Sequence, residues 1–225
     1  MRKFLLAMVL LFAAPAAWPQ LAKISNQDAT SGLKAALDTG TQAAVANLGK
    51  ADGFLGNSAV KIPLPDSLKR YEKMMRQFGM GKYADELITT MNRAAESAVP
   101  EAKPLFVDAV KKMTVQDAKG ILTGGNTSAT DYFKRTMSDT LRGKFQPIVA
   151  ESTKKVQLAE KYNEYAAKGA KFGLVKKEDA SLDSYVTQKT MDGLFYMVGE
   201  EEKKIRANPV AAGSDIIKKV FGALK

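Results

Sequence analysis

The stretch SLDSYVTQKTMDGLFYMVGEEEKKIRANP, residues 181–209, decides the fold. Ser181 is a good N-cap, because its hydroxyl can accept from amides that a helix start leaves unpaired. From Leu182 the pattern runs helically to about Ala207, where Pro209, lacking an N–H, stops it. Leu194 to Val198 is apolar on every side, the signature of a helix buried within a bundle.

Outward from this helix the same period of three and four recurs, and strand-like alternation does not. Asn26 to Leu48 carries Leu33, Leu37, Ala44 and Leu48, with Gly49 as its stop. Pro65 and Asp66 open a stripe of Leu68, Tyr71, Met75 and Phe78 that Gly79 closes. Met80, Tyr83, Leu87, Met91, Ala94 and Ala98 continue it until Pro100 and Pro104 re-aim the chain. Phe106, Ala109, Val110 and Met113 form another stripe, and Thr114 with Asp117 reads as a capping box for a short helix ending at Gly124 and Gly125.

A further helix opens at Asn126 or Thr127 and runs through Phe133, Met137, Leu141 and Phe145, with Pro147 expected to kink it. Leu158, Tyr162, Tyr165 and Phe172 mark the next, and Ser214 caps a last one with Ile216, Ile217, Val220, Phe221 and Leu224. The expectation is a single all-α, multi-helix bundle domain of about eight or nine helices over residues 21–225. Phe54 to Pro65 has no helical period and is expected to pack across the bundle in extended form, as a docked loop or one that lines a ligand.

Residues 1–20 read as a signal peptide. Arg2 and Lys3 precede the apolar run Phe4 to Ala14, and Ala14 and Ala16 supply a small-residue cleavage site after Ala16, with a cut near Gln20 as the alternative. An uncleaved anchor is the rival reading, but the run falls short of the roughly 20 residues that span a bilayer. The only Trp, Trp18, stays or goes with the cut.

Composition narrows the chemistry. The 225 residues include no Cys and no His, which excludes disulfides, thiolate nucleophiles, imidazole bases and the usual metal ligands. Carboxylates, Lys and Tyr remain for proton transfer, and Glu101, Asp108, Asp117, Asp131 and Asp139 are scattered without a glycosidase-like spacing. Met74, Met75 and Met80, and Met191 with Met197, read as core packing rather than a copper site. No catalytic residue, metal or cofactor is assigned.

Several blocks carry a family likeness: Phe54-Leu55-Gly56-Asn57 with Lys61-Ile62-Pro63-Leu64-Pro65, Ala98 to Leu105, and Ile121 to Gly125 with Ala129 to Phe133. Asp192-Gly193-Leu194-Phe195 and Lys204 to Pro209 complete the set. Over the whole mature chain they resemble the exported bacterial family known as domain of unknown function 4197. The resemblance implies a small helical protein of the Gram-negative envelope and brings no functional residue with it.

The candidate binding residues are Gly124, Gly125, Asn126, Thr127, Tyr132 and Arg135, with Lys61 and Arg70. The first six combine a glycine turn, a helix N-terminus and nearby polar side chains, which suit a phosphate or carboxylate. A plain helix–helix joint accounts for the same pattern, and no P-loop spacing is present. Gly79-Met80-Gly81-Lys82 reads as a turn.

The net charge is +10, and loss of Arg2 and Lys3 leaves 32 basic against 24 acidic residues, +8. Cations gather at 61–82, at 161–177 and from Lys203 onward. A basic surface attracts polyanions. Export argues against nucleic acid and for anionic lipid, lipopolysaccharide or cell-wall polymer, in the periplasm or peripheral to its membranes. The expected function is a non-catalytic periplasmic binding or interaction protein. Its alternatives are an envelope hydrolase using a carboxylate pair and a structural partner of another envelope protein. The basic amphipathic helix near the C-terminus could pack on the bundle or lie on a membrane.

Overall fold

The computed structural model describes residues 24–154, 156, 159–160, 162–163 and 181–223, without the side chains of Arg70 and Tyr71. The expected leader, the cations of the basic run 161–177, and Leu158, Tyr165, Phe172 and Leu224 lie outside the described residues. The rest is an all-α domain of several packed helices, and no strand occurs among the described residues.

The helices are α1 (Asn26–Leu48), α2 (Asp66–Gln77), α3 (Gly81–Ala98), α4 (Ala102–Lys112), α5 (Val115–Thr123), α6 (Ser128–Thr153), α7 (Leu182–Ala207) and α8 (Asp215–Gly222). Short 3-10 turns at Val99–Glu101 and Pro209–Ala212 carry the prolines that end the preceding helices. The Thr114–Asp117 capping box forms, and the Ser181 hydroxyl accepts from the Ser184 amide. Ser214 takes the N-cap position of α8 without a side-chain bond.

The 26-residue helices α6 and α7 pack against each other at the centre, with α3 on α6 and α1 on α7. Phe54, Phe106, Phe133 and Phe145 are fully buried, each contributing on the order of 1.5–3 kcal/mol relative to exposure. Phe106 meets Phe133 edge-to-face at 4.9 Å between centroids.

One expectation gains detail and two change. First, α6 includes Pro147 and runs on to Thr153. Pro147 and Gly143, whose carbonyl loses its partner to the proline, both lie on the exposed face, where water can take the vacant bond. Second, the stripes of α2 and α3 do not stay in the core. Leu68, Leu87, Met91, Ala94 and Ala98 are buried, but Phe78, Met80 and Tyr83 are exposed, because the turn joining α2 to α3 projects beyond the bundle and α2 has its main contact with α3 alone. Third, Tyr196 is exposed within the all-apolar centre of α7, whose neighbours Leu194, Phe195 and Val198 are buried.

The Phe54–Pro65 segment docks as a structural loop, but the expected extended form holds only for residues 61–65: before them the Gly56, Asn57, Val60 and Lys61 amides close turns onto the Asp52, Phe54 and Asn57 carbonyls. Phe54, Val60, Ile62 and Leu64 are buried, and the Asn92 side chain pairs with both backbone groups of Ile62, accepting from its N–H at 2.8 Å and donating to its carbonyl at 2.9 Å. Glu96 accepts from the amides of Phe54 and Leu55 at 3.0 and 3.1 Å, and the Tyr185 hydroxyl donates to the Pro63 carbonyl. Phe54 fits against Gly193, where a Cβ would sit 2.7 Å from the ring.

The C-terminal helix packs on the bundle. Ile217, Val220 and Phe221 are buried, and Lys219 pairs with Asp28 of α1 at 2.8 Å. A Cβ on Gly32 of α1 would stand 2.5 Å from Val220 Cγ2 and 2.9 Å from the Ile216 carbonyl oxygen. Gly32→Ala should therefore lower stability by about 1–3 kcal/mol in urea unfolding through overpacking. Gly120→Ala, at a helical site where a Cβ meets nothing within 4 Å, should instead raise it by roughly 0.4–1 kcal/mol.

Candidate functional site

The turn between α5 and α6, with the first turns of α6, holds six of the candidate binding residues, and a plain joint between the two helices accounts for the same pattern. Gly124 caps α5, and its missing side chain leaves room for Ser128, which a Cβ would overlap. The turn residues 123–126 are exposed. At the start of α6 each of the first four amides is engaged. Ser128 N–H donates to the Gly125 carbonyl, and Asp131 N–H to the Thr127 carbonyl.

Ala129 and Thr130 donate to the two oxygens of Glu202 at 3.0 and 2.9 Å, and the Thr130 hydroxyl adds a third bond at 2.9 Å. A helix N-terminus carries a partial positive charge that an anion stabilises, and here the anion belongs to the chain. Glu202 comes from α7, is nearly fully buried, and accepts from both Nε and Nη2 of Arg206 one turn later. Arg206 Nη2 also donates to the Ile121 carbonyl in the last turn of α5, at 2.7 Å, and its guanidinium lies 5.8 Å from the Phe221 ring. One ion pair thus holds the C-terminal end of α5 and the N-terminal end of α6, each with the matching sign of charge.

Beside this joint an open groove of about 360 Å³ runs between α5 and α6, lined by residues including Gln116, Asp117, Asp131, Tyr132 and Arg135. Tyr132 and Arg135 therefore share a site as expected, whereas Gly124, Gly125, Asn126 and Thr127 do not line it. Tyr132 donates to the Ala109 carbonyl at 3.3 Å, and burial, with the Asp117 charge, pushes its phenol up from the ordinary value. The Arg135 guanidinium sits 5.8 Å from the Tyr132 ring. Asp117 is held below the usual carboxylate range, first by the Thr114 hydroxyl and then by the Thr114 amide. Among the described residues no group of three acidic side chains is placed to hold a metal ion.

Lys61 lies elsewhere, exposed on the docked loop, and Arg70 lies on α2. Met191 is buried, while Met74 and Met80 are exposed.

The family described as "Protein of unknown function (DUF4197)" matches residues 23–222. This chain belongs to the DUF4197 family. No curated protein and no solved structure matches it. The blocks that carry the DUF4197 likeness meet in space: Phe54 against Gly193, and Arg206 on Ile121 beside the start of α6.

Sequence reasoning passed over Glu202, Glu96 and Asn92. Their signal was position: each is a polar residue on the apolar side of its helix, Glu202 falling between Val198 and Ile205. Glu202→Ala strips the nearly buried Arg206 guanidinium of its counter-charge and leaves two amides unpaired, and should cost about 3–5 kcal/mol in chemical unfolding, with faster hydrogen exchange at the Ala129 and Thr130 amides. The Asp117 carboxyl has a folded pKa below its unfolded value of about 3.9, so its contribution is present above that pH and lost as pH falls through the lower folded value. Asp117→Asn should flatten this part of the acid limb when unfolding midpoints are compared between about pH 5 and pH 2.

Proposed function

We propose that this is an exported, non-catalytic protein of the periplasm whose basic surface binds anionic components of the envelope: lipid, lipopolysaccharide or cell-wall polymer. The observation that carries this reading is the unequal use of the two charge signs. Glu96 and Glu202 are spent on backbone amides inside the fold, and Asp117 on its own helix cap. Lys61, Lys73 and Lys82 stand on the surface, and Lys73 has no ion pair among the described residues. An excess of outward cations steers polyanions to the protein in a salt-sensitive way.

A carboxylate hydrolase is the second reading, favoured by the presence of Asp117 and Asp131 along one groove. A general acid needs a carboxyl raised toward neutrality, and Asp117 is shifted the other way. Among the described residues no helix is long and apolar enough to cross a membrane.

Co-sedimentation with phosphatidylglycerol vesicles, lipopolysaccharide and purified cell wall, at low and high salt, tests the proposal. Binding to at least one of these should weaken strongly as salt rises and the screening length shrinks toward about 3 Å at 1 M. It should survive Asp117→Asn combined with Asp131→Asn. Indifference to all three surfaces at low salt would sink it.

A further inference from the structure

We propose that the α2–α3 hairpin is the part of the protein that enters the membrane, seating its tip in the interface of an anionic phospholipid bilayer. This rests on the proposed affinity for anionic envelope components and names the partner and the contact.

The tip is the one place where large apolar side chains gather on the described surface. Phe78 is 73% exposed, Tyr83 48%, Met74 47% and Met80 45%. The other exposed large hydrophobics, Val115, Tyr196 and Val210, stand on three separate elements. Met74 in the last turn of α2 and Phe78 at its C-cap are four residues apart, and Met80 and Tyr83 follow directly across the turn. Gly79 makes that turn possible: at φ +75° it ends α2 in the left-handed region, and the Met80 amide reaches back to the Met75 carbonyl at 2.8 Å. Because Gly79 and the two residues beside it are exposed, the turn offers its side chains outward.

The charge around the tip has one sign. Residues 73–83 hold Lys73, Arg76 and Lys82 and no carboxylate. Arg76 is engaged inside the hairpin, pairing with Glu72 at 2.9 Å and Asp85 at 2.6 Å, which ties α2 to α3 and offsets one of the two charges of the acids nearest the tip. Lys73 and Lys82 remain exposed, one on each helix, with Lys82 Nζ 5.1 Å from the centre of the Tyr83 ring. Apolar and aromatic side chains ringed by lysines match the layered chemistry of a bilayer surface. The rings and thioethers reach the acyl boundary while the lysines stay at the phosphates. A groove on a protein would satisfy the apolar tip, but the lysine collar selects an anionic surface.

Lack of native cysteine makes the test direct. Phe78→Cys and, as a control on another face, Val210→Cys each give a single site for an environment-sensitive fluorophore. The probe surface is vesicles of phosphatidylglycerol mixed with phosphatidylethanolamine, against phosphatidylcholine alone. Label at position 78 should brighten on the anionic vesicles and be quenched by brominated acyl chains, while label at 210 stays unchanged. Met74→Ser with Phe78→Ser should weaken vesicle binding roughly tenfold or more. Lys73→Glu with Lys82→Glu should weaken it and flatten its salt dependence. All four positions are exposed, so unfolding midpoints should not move.

Salt-sensitive vesicle binding with no response at position 78, and no loss in the serine variant, would overturn the hairpin proposal and leave the anionic-surface reading intact. Binding to lipopolysaccharide or cell wall but not to phospholipid vesicles would do the same. Absence of binding to every anionic surface would overturn both.

Discussion

The ion pair between Glu202 and Arg206 is the constraint on which this bundle turns. Two helices that meet end to end present four unpaired amides at one end and four unpaired carbonyls at the other. Burying that meeting point against a third helix is costly unless the third helix supplies partners. Here α7 supplies a carboxylate to the amides of Ala129 and Thr130 and a guanidinium to the Ile121 carbonyl, from residues one turn apart. Each charge also neutralises the other, so neither is left alone in the interior. The register of α7 against the α5–α6 joint follows from it.

Glu96 and Asn92 repeat the device at the other irregular segment. A loop such as Phe54–Pro65 carries backbone groups without helical partners, and crossing a hydrophobic surface would strip them of water. Glu96 takes the Phe54 and Leu55 amides, and Asn92 answers both polar groups of Ile62. The apolar side chains of the loop can then be buried. Arg93 completes the arrangement from the surface, bonding Glu96 at 2.7 Å and Asp52 at 2.8 Å. In the interior, Glu96, Asn92 and Glu202 thus serve as connectors for backbone.

This distribution separates scaffold from surface. The α5–α6 groove lies beside the Glu202 joint, and its Asp117 and Tyr132 are already engaged, Asp117 with the Thr114 cap of its own helix and Tyr132 with the Ala109 carbonyl of α4. In the α2–α3 hairpin, by contrast, α3 packs on α6 while α2 is held mainly to α3, with Arg76 as one tie, and the apolar tip is left uncovered. A segment that keeps Phe78 in water gives up the burial energy that the rest of the chain uses, and it is here that the proposed membrane contact recovers that energy.

The helix period, caps and prolines of the chain by themselves determine an all-α domain and the approximate extents of its helices, since these depend on neighbours close in sequence, whereas the docking of Phe54–Pro65 rests on the distant Asn92, Glu96 and Tyr185. The family, too, is legible in the blocks that surround those features. What only the tertiary structure decided is which positions on each stripe are covered. Phe78 and Leu68 look alike in sequence, yet one ends in solvent and the other in the core, because burial depends on whether another helix lies opposite. The partner of a charge is likewise set at long range. Glu202 and the α6 amides it holds are more than seventy residues apart, and no local pattern records that meeting.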